Sequence, residues 1–486
     1  MKVAQKRRLS IVLYLNYVVH GMGLIILAQN MRELSAAWAT PLATVSYVMS
    51  GIGIGRLIAY YAIGSLSDRY GRKVFITFGM ISYFLFLVGI LFTSDFRIAY
   101  LFAILAGIAN SALDSGTYPT FLEMADDNGS ANILIKAAMS LGEFVLPLFI
   151  GMNDDLGGWY GYSFLLAAAL LLINLALISR TPFPERIKSI SSAARKAVPA
   201  LKMDYSKIGL VIILSIYGYT SMALMIWYTQ WITLYGTDVL HMPTLQAHFL
   251  LSLYSVGSIT GVLLLFVLLK KQWVQDKSLI VWMNGLSLLI LAAICYIGNP
   301  LVVSIGSFLF GLTAASGVMQ IGLNLFLSLF PEIKGRVTGI FFSFGSIASF
   351  SVPIISGQLS KLSTANALRS DLLIAFLSFV LWIIGKQLLD ARDLSYQKER
   401  RQINHIDHQI LKQLQKRFKL VEAIGRKKSQ TDAAIFDPAR EAEITAKIDQ
   451  QITDQANRNY YHEIFRAILT HSKQRQSEIN EGGTRP

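Results

Sequence analysis

The sequence predicts an all-α protein of twelve membrane-spanning helices, six plus six, followed by a soluble three-helix domain. Three observations lead there. Hydrophobic residues make up 53% of the chain and charged ones 15%, too apolar for one soluble globule and suited to a bilayer as solvent. Apolar runs recur from about Ser10 to Gly385, and from Lys386 onward the chain is charged and free of long apolar runs. Within that polar tail, isoleucine and leucine recur at helical spacing.

A span needs roughly 20 mostly apolar residues. Runs of that kind fall at about 10–31, 41–66, 73–93, 97–124, 131–154, 159–180, 207–235, 244–269, 277–297, 300–330, 335–360 and 370–390. The longest non-membrane stretch before the tail, 181–206, separates a first half (1–180) from a second (207–390). The N-terminus carries no small-residue cleavage site before its apolar run, so it reads as a retained first span.

Lysine and arginine set the orientation. One side collects Lys2, Lys6, Arg7, Arg8, Arg69, Arg72, Lys73, the basic residues of 180–207, Lys270, Lys271, Lys277, Lys334 and Arg336. The other side has Arg32, Arg97, Lys361 and Arg369. The bias places both termini and the tail in the cytosol of a multi-pass protein of the cell membrane, with a bacterial origin expected. The net charge of +14 is then mostly topology, and a nucleic-acid partner is not expected. The one cysteine, Cys295, lies in an apolar run, so no disulfide framework, metal site or cofactor is predicted.

The loop after the second span reads Gly64-Ser-Leu-Ser-Asp68-Arg69-Tyr-Gly71-Arg72-Lys73. Gly64 permits close helix approach, Gly71 a tight turn, and Asp68 with the arginines an ion-pair latch. This resembles the signature loop of the major facilitator superfamily, G-x-x-x-D-R-x-G-R-K. The resemblance covers about 1–390. It implies a latch at the inner gate and alternating access by two halves rocking around a midplane site. The second-half counterpart near Lys270–Lys277 lacks the pattern, so a latch would be carried by the first half.

Ionisable side chains at mid-bilayer cost at least about 2.5–3.5 kcal/mol and need a reason. His20, Arg56, Asp114 and Glu143 fall near the middle of first-half spans, with Asn110 one turn before Asp114. One reading has Arg56 gripping a substrate carboxylate while Asp114, Glu143 or His20 exchanges protons. The other makes Arg56 and Asp114 a structural pair between spans two and four. The second half offers no comparable buried charge, only Trp227, Tyr228, Trp231, Tyr254, Gln320 and Asn324. The aromatics could stack on a ring, although Trp231 fits an interfacial belt better. Gln320 and Asn324 could line the cavity or bond between helices.

In the tail, apolar residues at 403, 406, 410, 414, 421 and 424 form one helical stripe, and no proline or glycine interrupts 386–423. The last span is therefore expected to run straight into this helix. A second helix starts at Asp437-Pro438, a capping residue before a favoured first-turn proline. A third covers about 460–476, and 478–486 reads as a disordered end. Arg417 and Lys428, eleven residues apart, share a helix face with backbones about 16 Å apart. Ser472 and Gln476 also share a face. Arg400 lies about 25 Å from Arg417 along the helix, so it reaches the same ligand only from another subunit.

The pattern Arg400-Ile403-Asp407, Arg417, Lys428, Asp437-Arg440-Glu441, Ser472-Gln476 resembles the all-helical, intertwined-dimer class of chorismate mutases. The resemblance spans about 395–477. It implies a Claisen rearrangement of chorismate to prephenate, which needs the substrate held folded and its ether oxygen stabilised. It implies that Arg417 and the neighbouring chain's Arg400 hold carboxylates. Lys428 and Gln476 would serve the ether oxygen, Glu441 and the Asp437 region the hydroxyl, and Arg440 and Ser472 would complete the cage. Phe418 stands where some relatives have a second arginine, and Lys427 beside Lys428 leaves open which lysine points inward.

Two functions for the whole chain follow. In the first, a transporter of a carboxylate or aromatic solute (shikimate, chorismate, prephenate, an aryl-pyruvate or an aromatic amino acid) is joined to an active mutase. In the second, a transporter of aromatic amino acids is regulated by a mutase fold that senses metabolites without turnover. Both expect a homodimer through the tail.

Overall fold

The computed structural model describes residues 3–124, 128–184, 205–271, 273–330, 334–431 and 433–480, and these contain helices and no strand. The chain divides into two compact units, Met1–Leu389 and Asp390–Pro486.

The first half of unit one comprises α1 (Val3–Gln29), α2 (Met31–Ala37), α3 (Leu42–Tyr70), α4 (Arg72–Phe92), α5 (Phe96–Met124), α6 (Asn128–Asp155) and α7 (Gly161–Ser179). The second half comprises α8 (Tyr205–Asp238), α9 (Thr244–Lys270), α10 (Asp276–Ile297), α11 (Pro300–Ala314), α12 (Val318–Leu329), α13 (Lys334–Ser360), α14 (Thr364–Arg369) and the start of α15 (Asp371–Thr431). Twelve segments among the described residues are long and apolar enough to cross a membrane. Lengths and composition alone account for this, because a spanning helix satisfies every backbone group internally. Side chains left exposed along the spans, such as Phe92, Leu101, Trp282, Leu289 and Leu373, are apolar, as a lipid-facing surface requires.

Local chemistry places several ends. Asn299 caps α11, accepting from the Leu301 amide at 2.8 Å, with Pro300 in the first turn. Ser363 caps α14, accepting from the Asn366 amide at 3.0 Å. The tenth span, expected as one run over 300–330, is instead broken between α11 and α12 at Ala315-Ser316-Gly317. Gly317 takes φ 97° there, and Ser316 packs so closely on α9 that a Cβ on Gly261 would lie 2.4 Å from the serine Cβ. Apolar periodicity does not register such a break, since the residues on either side are equally apolar.

The two halves meet chiefly along α3 against α13 and α6 against α9. The first seam is close because Gly53 has no side chain: a Cβ would lie 2.2 Å from the Phe350 backbone nitrogen. Tyr60 stacks on Phe342 across the same seam, at 5.9 Å between ring centroids. Across the second, Ser252 donates to the Phe144 carbonyl at 2.9 Å.

Unit two is built from the remainder of α15, with α16 (Pro438–Gln451) and α17 (Gln455–Asn480). The chain from Asp371 to Thr431 is one helix, with no break between the last span and the tail. Asp437 caps α16 by accepting from the Arg440 amide at 3.0 Å. The third tail helix is longer than the expected 460–476, because polar residues at both ends extend it beyond the apolar stripe. The expected disordered end at 478–486 is helical through Asn480 and then lies outside the described residues, as does most of the middle loop, 185–204.

Candidate functional site: a polar cluster in the spans and a cationic cleft in the tail

Three helices of the first half each carry a polar pair one turn apart: Asn16 and His20 on α1, Arg56 and Tyr60 on α3, Asn110 and Asp114 on α5. Asp114 is the knot. It accepts from Tyr17 Oη at 2.6 Å on one carboxylate oxygen and from Tyr60 Oη at 2.8 Å on the other. His20 stacks on Tyr17 and Tyr83, with centroids 5.3 and 6.0 Å away. The Arg56 guanidinium lies over the Tyr60 ring, 5.9 Å from its centroid. No ion pair joins Arg56 to Asp114 among the described residues; Tyr60 stands between them. Several buried atoms here have no hydrogen-bond partner: Asn16 Nδ2 and Oδ1, His20 Nδ1, Arg56 Nε and Asn110 Oδ1. Sequence reading missed Asn16, which its position one turn before His20 could have flagged. Glu143 is buried on α6, within electrostatic reach of Lys136 and of Tyr254 on α9.

The second half corrects two expectations. It does hold a buried charge-bearing side chain: Asp371 is fully buried, and neither carboxylate oxygen has a hydrogen-bond partner. It lies in the first turn of α15, directly after α14, which packs against α8, α10 and α13. Trp231 is also fully buried rather than part of an interfacial belt. Trp227 and Tyr228 are buried in the same packing: the indole donates to the Ala367 carbonyl, and the Tyr228 hydroxyl donates to Ser307 Oγ at 2.7 Å. Tyr228 packs on Phe310 and Tyr254, with centroids 4.3 and 5.3 Å away. Gln320 and Asn324 are exposed on α12, and Ser328 continues their stripe. A carboxamide row on a spanning helix whose neighbours' exposed side chains are apolar suits a water-filled cavity better than lipid.

The signature loop ends α3. Gly71 there adopts φ 105°, a conformation that favours glycine, and turns the chain into α4. Arg69 lies over the Tyr70 ring, and Arg72 donates to Ser67 Oγ at 3.3 Å. Lys73 donates to the carbonyls of Ser179 and Thr181 at 2.9 and 3.0 Å. The Gly64 and Asp68 positions lie on α3, but their side-chain surroundings fall outside the described residues, and so does the expected latch.

The opposite end of the bundle is tied by a network no sequence motif announced. Gln29 Nε2 donates to Thr233 Oγ1 at 3.0 Å, and Gln29 Oε1 meets His248 Nδ1 at 2.8 Å. A carboxamide oxygen only accepts, so Nδ1 carries the proton. His248 Nε2 lies 3.6 Å from Asp154. Arg32 pairs with Asp238, which also accepts from Thr364 at 2.8 Å. Burial first, then the neighbouring Asp154, pushes the Glu33 carboxyl above its ordinary value. These contacts join α1, α2 and α6 to α8, α9 and α14.

In unit two, α15 and α17 bring the predicted cleft together. Arg417 Nη1 donates to Ser472 Oγ at 2.5 Å, and partial burial pushes the guanidinium below its ordinary value. Gln476 lies against Val421, its amide 3.5 Å from that carbonyl, with Gly425 leaving room for it. Lys428 is half-buried and donates to the carbonyls of Ala434 and Ile435 at 2.7 and 3.1 Å, while Lys427 is exposed. Glu441 on α16 pairs with Lys473 on α17 at 2.9 Å, and Lys473 also lies over the Phe436 ring. Sequence reading missed Lys473, which lies beside Ser472. Arg440 does not join the cleft: it pairs with Glu443 on the exposed face of α16. Lys447 first and Arg440 next hold the Glu443 carboxyl below its ordinary value. Arg400 is exposed and far along α15 from Arg417.

Comparison with known proteins fits both units. The family model described as Major Facilitator Superfamily matches residues 13–353. The chain belongs to the major facilitator superfamily. A second model, Chorismate mutase type II, matches residues 399–477, so this transporter is fused to a chorismate mutase domain. The chain is similar to the inner membrane transport protein YdiM of Escherichia coli (strain K12), 41% identical over 370 residues, 76% of this chain and 91% of the relative. It is also similar to the uncharacterized MFS-type transporter YfkL of Bacillus subtilis (strain 168), 38% identical over 72% of this chain and 88% of the relative. Among solved structures, a D-xylose-proton symporter superposes with a TM-score of 0.65 at 15% identity, covering 78% of this chain and 96% of its own. The nucleoside transporter NupG gives 0.61 at 15% identity, over 79% and 99%. At such identities the likeness is one of fold.

Proposed function

We propose that this facilitator protein is bifunctional: its membrane unit carries a small carboxylate solute, and its tail converts chorismate to prephenate. The observation that carries the enzymatic half is the meeting of Arg417, Ser472 and Gln476 between α15 and α17, with Lys428 further along α15 at the turn into α16. A Claisen rearrangement breaks one C–O bond and forms one C–C bond within the same molecule. The residues need only hold chorismate folded and donate to its ether oxygen. Arg417 takes a carboxylate, Lys428 and Gln476 face the ether oxygen, and Glu441 takes the hydroxyl. A sensing domain without turnover is less favoured, because the cleft keeps a partly buried guanidinium beside two buried polar side chains.

Arg400 completes the cleft from a second chain. The exposed apolar stripe Ile403, Ile406 and Ile410 supports this, since such a stripe on a polar unit wants a partner and the same stripe on a second copy fits it. In the membrane unit, Arg56 binds the solute carboxylate, and Asp114, Glu143 or His20 exchanges protons. The basic loops face the cytosol of a bacterial cell, and the tail lies there with them.

The test is direct. Purified full-length protein is expected to convert chorismate to prephenate, and Lys428→Ala to lose at least about a hundredfold in kcat/KM, the usual effect of removing one preorganised donor. Unchanged activity in that variant sinks the assignment. Solute uptake measured in the same variant separates the two readings, because a sensing domain would carry the defect into transport.

A further inference from the structure

The unpartnered atoms of the span cluster define the solute more narrowly. Arg56 Nε and Asn16 Nδ2 are donors without acceptors. Asn16 Oδ1 and Asn110 Oδ1 are acceptors without donors, and His20 Nδ1 serves either way. Asn16, Asn110 and His20 are each at least nine-tenths buried, at 1%, 1% and 5% exposure. Buried polar groups in folded proteins are almost always paired, so a set of them on three adjoining helices marks a ligand. The Tyr17–Asp114–Tyr60 bonds tie those three helices together.

We infer that this site takes a small carboxylate bearing two or more hydroxyl groups and no amino group. The inference rests on the reading that Arg56 binds the carboxylate. Hydroxyls both donate and accept, which is what two carboxamides and an imidazole require. An ammonium group only donates, and it wants a free carboxylate beside it. Asp114 accepts a tyrosine hydroxyl on each oxygen, and an ammonium would have to compete with those two bonds. Glu143 is buried on α6 within electrostatic reach of Lys136, whose positive charge offsets it. The aromatic solutes lose support as well, because Trp227 and Tyr228 are built into the packing of the second half.

Four probes separate the classes: shikimate (carboxylate and hydroxyls), benzoate (carboxylate alone), phenylalanine (carboxylate and ammonium) and myo-inositol (hydroxyls alone). Binding is read by titration calorimetry on the full chain carrying Arg417→Ala with Lys428→Ala, so that the tail cleft loses the guanidinium that would hold a carboxylate. Shikimate is expected to bind at least about tenfold more tightly than benzoate, since a buried polar group left without its partner rejects the poorer ligand. Phenylalanine and inositol are expected not to bind. Asn16→Leu should bring the shikimate affinity down to that of benzoate and leave benzoate unchanged, with Asn110→Leu as the second variant should the first not fold. Arg56→Gln should abolish both. Equal binding of shikimate and benzoate, both lost in Arg56→Gln, overturns the hydroxyl inference and leaves the carboxylate reading standing. Tight binding of phenylalanine overturns the exclusion of an amino group. Binding that survives Arg56→Gln, or no binding of any carboxylate probe, overturns the Arg56 reading itself.

Discussion

Pairing of two tails has the most measurable consequence. Ile403, Ile406 and Ile410 are 55%, 52% and 51% exposed in the single chain. Fully burying an isoleucine is worth about 1.5–3 kcal/mol, so covering the half still exposed yields about 1 kcal/mol for each. Ile406→Gln with Ile410→Gln removes two isoleucines from each chain and should therefore weaken the dimer by about 4 kcal/mol, close to a thousandfold in its dissociation constant. Neither side chain lies in the Arg417–Ser472 cleft, so each site keeps its own residues and loses only its neighbour's Arg400. Mutase activity per chain should then fall on dilution in the double variant at concentrations where the parent stays constant, and light scattering in detergent should give monomers there. Mixing Arg400→Ala chains with Lys428→Ala chains is a second readout. Each mixed pair contains one intact site, so random pairing restores about a quarter of the parent activity. Activity per chain that is independent of dilution in the double variant, together with no recovery on mixing, would refute the shared site.

Two further predictions concern the bundle end and the tail surface. His248→Leu removes the shorter of two hydrogen bonds to Gln29 Oε1, at 2.8 Å against 3.3 Å from the Thr233 hydroxyl, a loss of about 0.5–1.5 kcal/mol, so this end should open more often. A cysteine introduced at Thr237 in a Cys295→Ser background should be labelled faster in that variant; an unchanged rate would mean the Gln29–His248 contact does not hold the halves together. Glu443 is held below its ordinary value of 4.5, so its contribution to stability is present above that pH and is lost as the pH falls through its lower folded value. Glu443→Gln should lower the melting temperature of the tail slightly at neutral pH, with the gap from the parent closing on acidification. A gap that widens in acid would contradict the assigned ion pairs with Lys447 and Arg440.

The carboxylate reading gives the fusion a chemical logic. Chorismate is itself a hydroxylated carboxylate, and the tail cleft and the span cluster answer that chemistry alike, with guanidinium groups for carboxylates and neutral amides beside them. The two clusters differ in one respect. Arg417 is already engaged by Ser472 and lies in a cleft open to water, whereas Arg56 Nε is buried with no partner. A rigid cleft suits catalysis without proton transfer, while an unsatisfied buried cluster suits a site whose helices move as solute arrives.

The sequence by itself determined the class of fold, the twelve spans, the run of the last span into the tail and the shared faces of Arg417 with Lys428 and of Ser472 with Gln476. Each is a one-dimensional property: bilayer thickness sets the length of an apolar run, and the helical period sets which residues share a face. Pairing across elements decided the rest. Asp371 and Trp231 were misjudged because burial depends on what packs over a helix end, not on its place in the run. Arg56 and Asp114 invited pairing as opposite charges, yet two tyrosines reach the carboxylate first. Arg440 sits in the right motif, but Glu443 one turn on holds it to the exposed face of α16. Gln29 and His248 carry no signal along the chain, because a polar residue becomes a site only when the fold withdraws it from water and chooses its neighbours.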